Sequence, residues 1–264
     1  MRFALASLRP EFDFEALARQ AAETLTELAW IRACALRGGP VPVETSVEGM
    51  GRIGSDGSLL WGMSFCGTLV VKIALHRAGV PLVHLSAAGH GAAHPPTRLG
   101  LRIVSPLYCR AENRFLRERV VIPEDGSLGY LRTLMDRLRS GAPVYIAGER
   151  RAPRRNTSAL CLGRPTLFAR GAPGLAHRSG VPLLPVTVYR VRPLHYRVVV
   201  EPPLDSAAAP GVDDGPTLDR DAFVADAIRA FADRVSHNVL EHPADWDWYR
   251  HTVPEWEKHA REVE

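Results

Sequence analysis

The sequence predicts an α/β fold: a single domain with a central, mainly parallel sheet flanked by helices. Three observations predict it. Residues 58–61 form an apolar run of strand length, which breaks at a turn holding Gly62 and Gly67 and resumes as an apolar, helix-like stretch to Leu75. Further apolar runs of strand length alternate with segments of helical spacing along the rest of the chain, the pattern of a parallel sheet with crossover helices. The chain has 264 residues and is 46% hydrophobic, which suits one large globular α/β domain spanning 1–264.

The elements follow in order. Residues 13–35 place Phe14, Leu17, Ala21, Leu25 and Leu28 on one side, predicting an amphipathic N-terminal helix that Gly38-Gly39-Pro40 ends. Residues 41–44 and 47–49 read as extended. The 58–75 unit follows, and residues 80–85 are a second strand. It feeds a loop of small residues, 86–96, that carries Gly89-His90-Gly91 and His94. Residues 112–121 read as a charged helix or strand, 128–138 as a helix and 143–147 as a third strand ending at Gly148-Glu149-Arg150. Residues 166–168 are short and extended, and a helix begins at Gly171. Strands are expected at 181–189 and 196–200, a surface loop at 204–216, and an amphipathic helix at 221–238 with a Trp-bearing tail to 264.

In open α/β sheets ligands bind beyond the carboxyl ends of the strands. Ser64 and Cys66 occupy such a position, before a helix N-terminus whose free N–H groups favour developing negative charge. The four cysteines are far apart in sequence and form no CxxC pair, so they read as reduced thiols of a cytoplasmic protein rather than a disulfide frame or zinc site. The N-terminal apolar run is too short for a signal peptide, and no stretch approaches the roughly 18 apolar residues of a membrane span. The composition still allows peripheral membrane contact. Net charge is +4, and only Lys72 and Lys258 are lysines. A mild basic excess suits an acidic partner, or simply an arginine-rich composition.

Several stretches together resemble the lysophospholipid acyltransferase-like proteins, in particular the lipid A biosynthesis acyltransferases. They are IAGER, GRPTLFARGAPGLAHRSGVPLLPV, YRVVVEPPL and PADWDWYRH, with SLLWGMSFCGTLVVKIALHRAGVPLVHLS upstream, in order over roughly residues 15–251. The resemblance implies an acyltransferase-like α/β domain. It also implies a motif in which a His acts as general base and an acidic residue orients it, four intervening positions apart. Here the matching positions read Ser64 and Leu69, so neither role is filled there. The same spacing occurs as His242–Asp247 and His259–Glu264, in the tail, where chance recurrence is the plainer explanation.

His90 is the leading replacement base, with a surface-loop histidine as the plainer alternative; His84 reads as a core strand residue. Glu149, where the resembling family also carries an acid, would orient the base or hold the acceptor. Ser64 would hydrogen-bond substrate. Cys66 reads first as a small buried hydrophobe, with a nucleophilic or substrate-binding thiol at a helix N-terminus as the alternative. Arg114, Arg150 and Arg164 suit bidentate contacts to a donor's phosphate or carboxylate. The expected reaction moves an acyl group from an activated donor to a small amine or hydroxyl acceptor, without a cofactor or metal. An acyl carrier protein, a coenzyme A thioester or an aminoacyl-tRNA would each serve as donor. With no anchor expected, a specialised biosynthetic pathway fits better than lipid A itself. The rival expectation is an inactive relative that binds an acyl chain or a partner protein.

Overall fold

A computed structural model describes residue 5 and residues 9–91, 97–125, 127–148, 156–204 and 220–247. The first helix, α1 (Phe14–Leu36), starts where Asp13 accepts hydrogen bonds from the backbone N–H groups of Glu15 and Ala16, both at 3.0 Å, satisfying donors that a helix start leaves free. At its far end Arg114 donates to the carbonyls of Ala35 (3.0 Å) and Gly39 (3.1 Å), which play the matching part for orphan acceptors.

The sheet contains β1 (Glu44–Glu48), β2 (Ser58–Gly62), β3 (Val83–Ala87), β4 (Glu118–Ile122), β5 (Pro143–Ala147), β8 (Leu183–Arg192) and β9 (His195–Val200), and the hairpin β6 (Asn156–Cys161)–β7 (Arg164–Ala169) stands apart from it. The seven strands run in the order β1-β9-β8-β2-β5-β3-β4. Every pairing is parallel except the β8–β9 hairpin, so β2, β3, β4, β5 and β8 all point the same way and their carboxyl ends share one edge.

β2 is buried at every residue, as a central strand covered on both faces must be. Its alternation is visible in where its side chains go. Leu59 and Trp61 join a core with Phe168, Phe223 and Phe231; Leu60 joins another with Val70, Ile73 and Tyr145. The first face is covered by α4 (Gly129–Arg139), α5 (Gly171–Ser179), α6 (Arg220–Glu241) and the β6–β7 hairpin. The second is covered by α1, α2 (Thr68–Arg77) and α3 (Ser105–Asn113), which a π-helical turn at Gly100–Val104 precedes. Trp61 stacks on Phe231 with ring centroids 3.8 Å apart, joining β2 to α6.

The expected α/β domain is thus present, with more strands than the sequence pattern suggested. The 112–121 segment splits into the end of α3 and the strand β4. The stretch read as one short extended piece is one arm of a two-stranded hairpin, whose polar residues at half-exposed positions mask the period-two signal. Most of the expected 204–216 loop and the tail beyond Asp247 lie outside the described residues. All four cysteines are free thiols. Among the described residues no helix is long and apolar enough to cross a membrane.

Candidate active site

The second face of the sheet carries a row of polar side chains. Tyr145 on β5, His84 on β3 and Arg119 on β4 are register partners, so they lie side by side on one face. Two helices close over this row. α2 is buried from Leu69 to Leu75, including Lys72 at 0% exposure. α3 contributes Glu112, also at 0%. A charge inside a wholly buried helix requires a counter-charge, and Lys72 Nζ meets Glu112 Oε1 at 2.7 Å.

The other carboxylate oxygen serves two more groups. Arg119 donates to Glu112 Oε2 at 2.7 Å, and His90 Nε2 lies 2.9 Å from the same atom. His90 reaches this position from the turn that follows β3. Its carbonyl accepts from the Ser105 hydroxyl at 2.8 Å, and its ring sits 5.3 Å from the Tyr108 ring and 5.4 Å from the His84 ring. Gly91 permits the approach: its φ is +81°, and a Cβ there would lie 2.2 Å from the Tyr108 ring. His90 is therefore a nearly buried histidine paired with a carboxylate, not a solvated loop residue.

Burial pulls the Glu112 pKa upward, but His90 and Lys72 outweigh it and hold the carboxyl far below its ordinary value. Burial lowers Lys72 to about 8, with Glu112 opposing. Burial also lowers His90, and the Glu112 contact offsets this only in part, so the imidazole is neutral at pH 7. With Glu112 ionised, Nε2 carries the proton that it donates, which leaves Nδ1 as a free base. Three polar atoms of β3 and β4 are buried without a hydrogen-bond partner among the described residues: His84 Nε2, Ser86 Oγ and Arg119 Nη1. Buried unpartnered polar atoms are rare in folded proteins, and their gathering beside a His–carboxylate pair makes this a candidate functional site.

His84, His90 and Glu112 also lie close enough for a metal ion, with ligand atoms within 4.8 Å of one another. An ion there would compete with the Lys72 ammonium and the Arg119 guanidinium for the same carboxylate. That charge arrangement favours a proton-carrying pair over a cation site.

The turn after β2 has a different character. Phe65 bridges to Trp246, Cys66 N–H donates to the Asp245 carbonyl at 2.9 Å, and Asp247 N–H donates to the Ser64 carbonyl at 3.0 Å. The C-terminal segment thus pairs with the turn and carries the His242–Asp247 spacing to it, with the His242 ring 4.1 Å from that of Tyr189. Cys66 is fully buried at φ +46°, two residues before the start of α2. A helix N-terminus lowers a thiol's pKa, yet here burial and the Asp245 carboxylate push it well above its ordinary value. Leu69, at the resembling family's acidic position, packs in the second-face core.

The sequence-level candidates scatter accordingly. β5 lies between β2 and β3, so Ser64 and His90 leave from strands about 10 Å apart, two strand spacings. Arg114 joins the end of α3 to that of α1, whereas Arg164 opens β7 on the opposite face. Glu149 and Arg150 lie outside the described residues, as do His94 and Trp248. Glu112 was not among the sequence candidates. Its signal was Lys72: a lysine within the apolar run VVKIAL implies a buried acid elsewhere.

A seven-stranded, mainly parallel sheet flanked by helices is consistent with the fold of the acyltransferase class. Residues 110–252 match the family described as bacterial lipid A biosynthesis acyltransferase, just over half of the chain, and the protein belongs to that family. The match begins within α3 and includes Glu112 and Arg119, but positions 64 and 69 precede it. No curated protein matches the chain.

Proposed function

We propose that the protein transfers an acyl group from an activated donor to a small amine or hydroxyl acceptor, with His90 as general base and Glu112 as its orienting partner. The observation that carries this reading is the buried His90–Glu112 contact of 2.9 Å beside unpartnered polar atoms on the second face of the sheet. It supplies the two roles of the family motif from different positions. In this scheme His90 Nδ1 takes the proton as the acceptor's oxygen or nitrogen bonds to the acyl carbon. The tetrahedral oxyanion collapses, the bond to the leaving group breaks, and the leaving thiolate or alkoxide recovers the proton from the imidazolium. Glu112 stabilises that imidazolium while Lys72 and Arg119 keep it ionised.

The finer assignments belong to the same proposal. Ser64 hydrogen-bonds substrate from the end of β2. Glu149, two residues beyond β5, holds the acceptor. Arg150 and Arg164 contact a donor carried on an acyl carrier protein, coenzyme A or tRNA, as the basic balance of the chain suggests. The acceptor is soluble and the protein is cytoplasmic. Intact-mass and product analysis with each donor class and a panel of amines and alcohols tests the reading. Turnover that falls with His90→Gln and Glu112→Gln supports it.

A second reading has its own observation. Ser64 and Leu69 stand at the family's motif positions, and the tail is hydrogen-bonded across that turn. A relative that only binds acyl chains would show saturable donor binding, no product, and no dependence on His90.

A further inference from the structure

The chain's exposed apolar side chains are concentrated in one place. Twelve large hydrophobic residues are exposed among the described residues, and five of them, Leu99, Leu101, Ile103, Val104 and Leu107, fall within nine positions. They belong to the π-helical turn and the start of α3. Leu99, Ile103 and Leu107 recur every fourth residue, whereas Gly100, Ser105, Tyr108 and Glu112 on the other side are buried. This face is apolar, continuous along the helix and turned away from the core.

Its charges have one sign. Arg98, Arg102 and Arg110 are exposed in the same segment, and residues 97–111 contain no acidic residue; the next carboxylate, Glu112, is fully buried. Two copies of this face would set arginines against arginines, so self-association is opposed by its charge. Exposed aliphatics flanked only by cations complement a surface that is negative outside and apolar within. We infer that residues 98–110 form an interfacial face that lies on an anionic lipid bilayer, with the leucines and Ile103 entering the headgroup region and the arginines pairing with lipid phosphates.

The location gives the contact a consequence. Leu101 covers Gly89, where a Cβ would lie 2.5 Å from the leucine's Cδ2, and Ser105 holds the His90 carbonyl. A membrane bound at this face would lie beside the turn that carries His90. The inference itself does not depend on catalysis.

Vesicle sedimentation of the full chain tests it, with pure phosphatidylcholine against a mixture containing phosphatidylglycerol. Binding is expected to the anionic vesicles, to weaken as salt rises, and to be slight on the neutral ones. Leu99→Ser with Ile103→Ser should weaken it at least tenfold, and Arg98→Gln or Arg102→Gln about fivefold each. Val191→Ser, an exposed apolar residue on β8, should leave it unchanged. Circular dichroism confirms folding of each variant. Because the serine variants change exposed side chains that still abut a helix, a second readout is used. Ile103→Cys in a Cys109→Ser background, labelled with an environment-sensitive dye, should blue-shift on anionic vesicles. No anionic binding, binding indifferent to these substitutions, or a dye that stays in water would each overturn the inference. So would serine variants that abolish a dimer, or binding of an acidic carrier protein, while vesicle binding is unchanged.

Discussion

Two turns at the same edge of the sheet invite comparison: the one after β2, where the family's catalytic pair would stand, and the one after β3, which carries His90. The first is closed by backbone pairing with residues 245–247, packs Leu69 as core, and holds Cys66 protonated through burial and Asp245. The second gathers Lys72, Arg119, His90 and Glu112 within hydrogen-bonding distance and leaves three buried polar atoms unpartnered among the described residues. Equivalent positions in a sheet therefore differ sharply in what they can do. A turn whose polar groups are satisfied by its own chain is a structural joint. A turn whose ionisable groups are buried together retains electrostatic work for a substrate.

The largest effect should come from breaking the charged turn. Glu112→Ala leaves Lys72 and Arg119 buried without their carboxylate, and a loss of about 3–5 kcal/mol is expected in urea unfolding. Adding Lys72→Met should recover part of that loss. If Glu112→Ala unfolds like the parent, the network is not holding the two helices to the sheet.

Next comes the chemistry. His90→Ala should lower turnover by about 10²-fold, with far less change in stability than Glu112→Ala. Glu112→Gln should lower turnover and move the acid limb of the pH–rate profile to lower pH, because the carboxylate that raises the His90 pKa is gone. Equal rates for parent and His90→Ala would move the base elsewhere.

The pH dependence of stability sharpens the same contrast. Glu112 titrates far below its ordinary value of 4.5 in the fold, so its contribution is complete above that pH and lost as acid falls below it. His90 and His84 are lowered beneath 6.5 by burial, so the unfolded chain takes up protons first and stability begins to decline as pH drops through 6.5. Urea midpoints measured from pH 7 to 4 should fall throughout. The slope below pH 4.5 should be shallower in Glu112→Gln.

The satisfied turn should be tolerant. Cys66→Ala is expected to cost about 1 kcal/mol from a lost buried contact and hydrogen bond, with turnover within twofold. In the folded protein a thiol reagent should modify half-buried Cys109 well before Cys34, Cys66 and Cys161. Abolished activity in folded Cys66→Ala would reverse the comparison. Arg114→Ala, which removes two hydrogen bonds to the end of α1, should likewise lower stability by about 1 kcal/mol, without a selective change in donor binding.

The sequence by itself determined the kind of fold. Apolar runs such as residues 58–61 and 143–147 have the length and composition of buried strands, and the spacing of apolar residues over 13–35 announced α1, because periodicity is a local property of the chain. It also singled out His90, through a histidine set between glycines in the loop after a strand. Only the tertiary structure decided that Glu112, rather than an acid four positions beyond Ser64, pairs with a histidine. His90 and Glu112 are 22 positions apart in sequence, and Lys72 and Glu112 are 40 apart. Such a contact has no period or spacing to betray it. It exists because β3 and β4 are neighbours and two helices close over them, bringing ionisable groups from four separate elements into one buried cluster.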